Sequence, residues 1–207
     1  HIPLIIDNAY GAPFPNAVFT HATPIWNEDI ILTLSLSKIG LPGTRTGIVI
    51  AREDLIHALS SMTSHVGLAN VNIGQAIVAP LIDTGEILDL SATVIQPYYL
   101  RKSQQAQALA RTCFDDSLPY RIHRSEGAFF LWLWFDGLPI SSQELYQRLK
   151  QRNVFVVPGN HFFFGLDDSQ WRHRDECLRV TFTMRKESLQ RGYQIIAEEV
   201  HAAYNGR

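Results

Sequence analysis

The sequence predicts an α/β domain followed by an α+β domain. Three short, nearly continuous apolar runs lie within the first 51 residues, and such runs are typical of strands buried on both faces of a mostly parallel sheet. Apolar residues spaced three and four apart follow them and indicate helices. After Pro119 the pattern changes to a pair of strands and two amphipathic helices, which favours an antiparallel or mixed strand order.

The first half of the chain passes from strands to helices. We predict strands over residues 3–6, 28–35 and 46–51, and helices over residues 53–64, 70–84 and 87–114. Pro97 should kink the last helix or mark its true start, because proline cannot donate the helical hydrogen bond. This helix is long enough to bridge two lobes. We therefore predict a first domain over residues 1–90 and a second over residues 91–207.

The second half begins with a strand pair within residues 120–137 that turns around Glu126 and Gly127. A helix over residues 141–151 should be capped by Ser141 or Ser142, with Glu144 close behind. The segments "NVFVVPG" and "CLRVTFT" predict further strands, and residues 186–204 predict a closing helix. The stretch "FFLWLWF" is aromatic on both faces, so it is interpreted as core and not as a platform for stacking bases.

Composition and charge exclude several classes of protein. The net charge of −2 gives no electrostatic footprint for nucleic acid or an anionic membrane, and no apolar run approaches the ~20 residues of a membrane span. Cys113 and Cys177 lie far apart and are interpreted as reduced thiols, so we expect a cytoplasmic protein. His173 and Cys177 lack a second pair of ligands, so no metal site is predicted. Because the chain begins almost directly with a buried-type strand, we expect a fragment of a longer protein.

The loop "SLSKIGLPGTRTG", which follows the second predicted strand, is the first chemical feature. Burial disfavours a charged ammonium, so Lys38 should offer a free amine that traps a carbonyl of a substrate or of pyridoxal phosphate. Ser35, Ser37 and Arg45 supply the hydroxyl and guanidinium donors that bind a phosphate. Each residue alone is equally consistent with a capped turn or a solvated charge, but together they favour phosphate binding.

Three further candidates lie outside this loop. Asp7 and Tyr10 follow the first predicted strand, and ligands gather at the carboxyl ends of strands in an open parallel sheet. Asp7 can keep a pyridine nitrogen protonated and Tyr10 can donate to a ring oxygen, although a helix cap and a packed aromatic are the plainer interpretations. Arg179 is either an edge-strand arginine that faces water or a clamp for a substrate carboxylate. Asn160 and His161 are weaker candidates for a pocket lining.

Taken in order, these motifs resemble the fold type I pyridoxal-phosphate aminotransferases. The motifs are Asp-x-x-Tyr at a strand end, Ser-x-Ser-Lys, Pro-Gly-x-Arg-x-Gly, and a late arginine in a strand. The resemblance covers the whole chain and implies the C-terminal half of such an enzyme: a remnant of the large, cofactor-binding domain with its mostly parallel sheet, then the small C-terminal α+β domain. It also implies pyridoxal 5'-phosphate as cofactor, amino acids and 2-oxo acids as substrates, and a homodimer for the full-length protein.

The resemblance also implies a role for each candidate residue. Lys38 would bind the cofactor covalently and carry a proton between the substrate Cα and the cofactor. Asp7 would pair with the pyridine nitrogen, and Tyr10 would bond the ring oxygen. The cofactor phosphate would be held by Ser35, Ser37 and Arg45. Arg179 would bind the substrate α-carboxylate, and the implied reaction is a ping-pong amine transfer from an amino acid to a 2-oxo acid.

The sequence departs from the family in what precedes Asp7. Family members carry an upstream half with a phosphate-binding turn, an aromatic residue that stacks on the cofactor ring and an asparagine for the ring oxygen, and none of these occurs before Asp7. We therefore expect this chain alone to bind the cofactor poorly and to be inactive. Two alternatives stay open: an aminotransferase-like domain of a transcription regulator that senses pyridoxal phosphate, and a lyase of the same fold.

Overall fold

The structure is a computed structural model that describes residues 2–67, 72–166 and 171–206. It contains two compact units. The first comprises the described residues up to Leu100 together with Glu126–Ala128, and the second comprises Arg101–Ser125 and the described residues from Phe129 onward. Each unit combines helices with a sheet, so the predicted α/β class is confirmed.

The first unit contains a three-stranded sheet. Its strands are β1 (Leu4–Asp7), β2 (Ile30–Ser35) and β3 (Gly47–Ile50), in that spatial order. β1 runs parallel to the central β2, whereas β3 runs antiparallel to it. The prediction that all three strands are buried on both faces is wrong. β1 and β3 are edges of this small sheet, and the Leu4 and Ile5 side chains of β1 remain 56% and 65% exposed.

Four helices follow the first sheet. They are α1 (Glu53–Gly67), α2 (Ile73–Asp83), α3 (Glu86–Leu90) and α4 (Gln96–Cys113). A π-helical turn joins α3 to α4, because the Gln96 N–H donates to the Ser91 carbonyl five residues earlier. The predicted helix over residues 87–114 is therefore continuous but changes its hydrogen bonding directly before Pro97. The predicted start of α2 at Asn70 lies outside the described residues.

A hydrophobic core joins β2 to the helices of the first unit. It contains Phe14, Leu34, Leu36, Ile39, Val78 and Ile87. Leu36 and Ile39 belong to the turn that follows β2, and they lie on either side of Ser37 and Lys38 in the sequence. Burial of these two apolar side chains therefore stabilises the turn that contains Lys38, the residue predicted to bind the cofactor.

The second unit contains a four-stranded antiparallel sheet. Its strands are β4 (Tyr120–Ile122), β5 (Phe130–Phe135), β6 (Val157–Pro158) and β7 (Cys177–Thr181), in the spatial order β4-β5-β7-β6. The predicted pairing of the first two strands around Glu126 and Gly127 is confirmed. The strand predicted for "NVFVVPG" is too long, because only two of its residues pair with β7.

Helices α5 (Ser142–Gln151) and α6 (Lys186–Tyr204) complete the second unit. The predicted bounds of α6 are confirmed, and its buried face includes Tyr193, Ile196 and Val200. The cap of α5 is Ser141, whose Oγ accepts a hydrogen bond from the Glu144 backbone N–H at 3.1 Å. In the described part of the chain, none of the helices combines the length and the apolar character that crossing a bilayer requires.

Candidate functional site

Lys38 lies in a single 3-10 turn, Leu36–Ile39, that follows β2 directly. Ser35 caps this turn, since its Oγ accepts a hydrogen bond from the Ser37 backbone N–H at 3.3 Å. Gly40 ends the turn with φ of +108°, a left-handed conformation that side chains disfavour, and its N–H donates to the Leu36 carbonyl. Ser37 and Lys38 are half-buried, whereas Leu36 and Ile39 are buried.

A second 3-10 turn, Pro42–Thr44, leads to Arg45. Arg45 has φ of +48°, is exposed, and donates from Nη1 to the Pro42 carbonyl at 3.3 Å. Gly74 of α2 approaches this turn so closely that a Cβ there would lie 2.7 Å from the Thr44 carbonyl oxygen and would also collide with the Thr46 hydroxyl. The glycine therefore lets the helix backbone support the turn that carries Arg45.

The first unit brings Asp7 and Tyr10 to the same edge of the sheet as Lys38. β1 and β2 are parallel, with Asp7 opposite Thr33, so both strands end at one edge. Asp7 is exposed and accepts a hydrogen bond from the Ala9 backbone N–H at 3.2 Å. The Lys38 Nζ lies 5.5 Å from the centroid of the half-buried Tyr10 ring, within the range of a cation–π interaction. Lys38 has no ion pair or hydrogen bond with the residues that the structure describes.

Arg179 belongs to the second unit and lies in β7, between β5 and β6. It pairs with Trp132 on one side and with Val157 on the other, so the alternative of an edge-strand arginine is wrong. Its guanidinium carbon lies 4.2 Å from the centroid of the Phe130 ring and 4.7 Å from that of Phe162. Its Nε atom is buried and has no hydrogen-bond partner among the described residues.

The turn Gly159–Phe162 follows β6 and supplies one of the rings on Arg179. A Cβ on Gly159 would lie 2.7 Å from the Cys177 Cβ and 2.8 Å from the Arg174 carbonyl oxygen, so only glycine fits there. The Asn160 Oδ1 is buried and, like Arg179 Nε, has no hydrogen-bond partner in the described part of the chain. His161 is exposed.

Sequence reasoning missed Phe130 and Phe162. Phe130 is part of "FFLWLWF", a segment whose sequence predicts core on both faces. The structure shows strict alternation in β5: Leu131, Leu133 and Phe135 are buried, while the other face is half-buried. That alternation was the available signal, because it places Phe130 and Trp132 on the face that carries Arg179 in the neighbouring strand.

The titratable groups with the largest pKa shifts lie in the core of the second unit. Burial raises the pKa of the Cys177 thiol to about 12. Burial also raises the pKa of the Tyr193 hydroxyl well above its ordinary value. The Cys177 Sγ lies 3.6 Å from the His173 Nε2, but residues 2–67, 72–166 and 171–206 contain no group of three or more His, Cys, Asp or Glu side chains suited to a metal ion.

The chain is similar to known proteins both in sequence and in structure. The family model described as "Aminotransferase class I and II" matches residues 1–196. The valine–pyruvate aminotransferase of Escherichia coli is 46% identical over 203 residues, which are 98% of this chain and 48% of that protein. The chain thus spans about half the length of this curated relative.

Solved structures extend the comparison to the fold. The crystal structure of valine–pyruvate aminotransferase from Salmonella typhimurium superposes with a TM-score of 0.93 at 45% identity, covering 100% of this chain and 53% of that one. A multiple substrate aminotransferase from Thermococcus profundus gives a TM-score of 0.78 at 21% identity, covering 99% of this chain and 49% of that one. At that identity the second likeness concerns the fold alone.

Proposed function

Because this chain belongs to the aminotransferase class I and II family, we propose that the protein expressed from its complete gene transfers an amine between an amino acid and a 2-oxo acid with pyridoxal 5'-phosphate, whereas this chain alone is expected to be inactive. The proposed substrate pairs are valine with pyruvate and alanine with 2-oxoisovalerate. The similarity to valine–pyruvate aminotransferases supports this choice. The observation that carries the proposal is the position of Lys38, half-buried beside Tyr10 and without an ion pair among the described residues.

The residues of the first unit fit the cofactor. The hydroxyl of Ser37 has no hydrogen-bond partner in the described part of the chain, and that of Ser35 only accepts a bond, so both can donate to a phosphate. Arg45 is exposed at the end of its turn and adds a guanidinium. Asp7 offers an exposed carboxylate at the same edge of the sheet. The chain thus supplies an amine, a carboxylate and phosphate donors on adjacent segments.

Each of these residues has a proposed role. When bound, pyridoxal 5'-phosphate supplies a protonated pyridine ring that withdraws electrons from the substrate Cα. Asp7 would hold the proton on the pyridine nitrogen, and Tyr10 would bind the ring oxygen. The phosphate would be held by Ser35, Ser37 and Arg45. Lys38 would hold the cofactor through its amine and, once its amine is released, move the proton at the substrate Cα.

Arg179 would bind the substrate α-carboxylate. A guanidinium without an acidic partner keeps its donors for an incoming carboxylate, and its planar fork can bind two oxygens at once. The same group would accept the carboxylate of the amino acid and that of the 2-oxo acid. Such exchange is what a ping-pong reaction requires of a single site.

The test uses the protein expressed from its complete gene. Incubation with pyridoxal 5'-phosphate, reduction with borohydride and peptide mapping should give one pyridoxyl group on Lys38, and valine plus pyruvate should give alanine. Lys38→Arg should lose both signals, whereas Lys150→Arg, a change on the exposed face of α5, should keep both. A label at another lysine, or amine transfer by Lys38→Arg, would contradict the proposal.

The same assay separates the alternatives. A lyase would release an elimination product without a 2-oxo acid, whereas a transaminase needs that acceptor. A regulator would carry the label on Lys38 but transfer no amine. We propose that the enzyme is a cytoplasmic homodimer, and size-exclusion chromatography with light scattering measures the oligomeric state.

A further inference from the structure

We propose that Phe130 and Phe162 are positioning residues that hold the Arg179 guanidinium for a substrate carboxylate, and that Asn160 makes the second polar contact to that carboxylate. The proposal rests on the proposed function for the identity of the ligand. Its structural basis lies wholly within the second unit, on β5, β7 and the turn after β6.

The guanidinium of Arg179 is held by rings instead of by an acid. Phe130 and Phe162 lie 4.2 Å and 4.7 Å from its central carbon, and no described carboxylate pairs with it. An arginine side chain that makes no hydrogen bond can adopt many rotamers. The contacts with the two rings reduce this freedom and restrict the plane in which the N–H donors of Arg179 point. Because the rings occupy faces of the guanidinium, its N–H edge stays available to a ligand.

Phe162 is itself fixed by a neighbouring aromatic residue. Its ring meets the Trp132 indole edge to face, with centroids 5.2 Å apart. Trp132 is the residue that pairs with Arg179 across β5 and β7, so the strand register and the ring contact support each other. Phe130 belongs to the same strand as Trp132 and pairs with Thr181. One ring thus comes from a rigid strand and the other from a turn.

Asn160 adds, in addition to that of Arg179, a second polar group without a described partner, and it lies close in sequence to residues that contact or pair with Arg179. It lies two residues before Phe162 and three after Val157, which pairs with Arg179 across β6 and β7. Buried polar groups without partners are rare in folded proteins, and here the Asn160 Oδ1 and Arg179 Nε both lack one among the described residues. A half-turn of the amide exchanges Oδ1 for Nδ2, which donates to a carboxylate. A bound carboxylate would satisfy both residues at once.

The first experiment measures kinetics on the protein expressed from its complete gene. Phe162→Leu, which removes the ring but keeps an apolar side chain, should raise KM for both the amino acid and the 2-oxo acid roughly 5- to 30-fold, with kcat changed less than about 3-fold. Phe162→Trp keeps an aromatic plane beside the guanidinium, so its KM values should lie much closer to those of the wild type than to those of Phe162→Leu. The control is Phe164→Leu, a change at a side chain that is 85% exposed in the same loop, and it should leave both constants unchanged.

The second experiment needs no turnover. Phenylglyoxal modifies accessible guanidinium groups, and peptide mapping gives the rate at each arginine. Phe162→Leu should speed modification of Arg179 several-fold, with the exposed Arg52 unchanged as internal reference. In the wild type, 2-oxoisovalerate should protect Arg179 from modification by phenylglyoxal. In Asn160→Ala, the concentration of 2-oxoisovalerate that gives half-maximal protection should be roughly 10-fold higher.

The two experiments distinguish the two claims. If the wild type transfers no amine but 2-oxoisovalerate protects Arg179 as described, the proposed function fails and the carboxylate site stands. If the wild type is active while Phe162→Leu and Asn160→Ala match it in KM, labelling rate and protection, the inference is overturned. Faster labelling of Arg174 as well as Arg179 in Phe162→Leu would indicate general loosening of the unit and would also overturn it.

Discussion

The hydroxyl oxygen of Ser35 accepts a hydrogen bond from the backbone N–H of Ser37 at 3.3 Å. Of these two proposed phosphate-binding residues, only Ser35 therefore also stabilises the turn through its side chain. Ser35→Ala removes this cap and should destabilise the protein by about 1 kcal/mol. Ser37→Ala removes a hydroxyl that has no partner among the described residues, and its effect on stability should be within about 0.5 kcal/mol.

Urea unfolding measures the stability difference between the two variants. Absorbance titration with pyridoxal 5'-phosphate should show weaker binding for both, because each loses one proposed phosphate donor. Equal stability of the two variants would show that the cap contributes nothing.

The start of α5 offers a second matched pair of serines. Ser141→Ala removes the Oγ that accepts the Glu144 N–H and should cost about 1 kcal/mol. Ser142 is fully buried and its Oγ has no partner in the described part of the chain, so Ser142→Ala should be neutral or stabilising. Thermal unfolding of both variants measures the change in stability. A larger loss of stability for Ser142→Ala than for Ser141→Ala would disprove the assignment of Ser141 as the cap of α5.

Gly74 is predicted to tolerate no side chain. Gly74→Ala would place a Cβ 2.7 Å from the Thr44 carbonyl oxygen, and relief of this contact should cost about 1–3 kcal/mol in the free energy of unfolding. Gly192→Ala is the control, because no described atom other than those of its chain neighbours and of the α6 backbone lies within 4 Å of a Cβ at that position. That variant should gain about 0.4–1 kcal/mol from reduced freedom of the unfolded chain. Chemical denaturation compares the two, and a stable Gly74→Ala would contradict the packing argument.

The two cysteines should differ in reactivity. The Cys177 side chain is fully buried and its thiol pKa is raised to about 12, so very little nucleophilic thiolate forms at neutral pH. Cys113 is half-buried, and burial raises its pKa as well, but reagents can reach it. Iodoacetamide should therefore label Cys113 in the native protein and Cys177 only after unfolding. Mass spectrometry locates the label, and rapid native labelling of Cys177 would disprove its burial.

The same thiol predicts a loss of stability at alkaline pH. The unfolded chain loses the Cys177 proton near the ordinary thiol value of about 9, whereas the native chain keeps it up to about 12. Above about pH 9 the unfolded state thus binds fewer protons, so the free energy of unfolding falls as pH rises. Urea midpoints at about pH 8 and about pH 10 measure the fall, and Cys177→Ala should show a smaller one. An equal slope in that variant would assign the effect to other groups.

Much of the fold follows from local sequence patterns. The 3.6-residue period of residues 186–204 predicts α6 correctly, and the apolar run after Asp29 predicts β2. Burial of β1 and β3 could not be predicted locally, because it depends on what lies beside each strand, and both are edges here. The π-helical turn before Pro97 likewise depends on how the backbone accommodates that proline.

In the candidate site, too, some features follow from local sequence and others depend on how distant segments meet. Lys38 and its neighbours are contiguous in sequence, so the turn that contains them could be predicted from "SLSKIGLPG". The surroundings of Arg179 could not, since its two rings come from positions 49 and 17 residues before it, and they are brought to it by the pairing of β5 with β7 and by the turn after β6. The choice between an edge arginine and an interior one therefore needed the sheet order.

The close packing of Gly159 limits how this protein could be redesigned. A mutant library that randomises the whole turn after β6 would lose most of its members to misfolding, because any side chain at Gly159 would collide with Cys177 and the Arg174 backbone. Directed evolution of the proposed substrate range should keep that glycine, and also Asn160 and Phe162, which are proposed to serve the carboxylate that all 2-oxo acids share. New substrate range would then have to come from positions outside this turn, with the backbone of the turn as a constant frame.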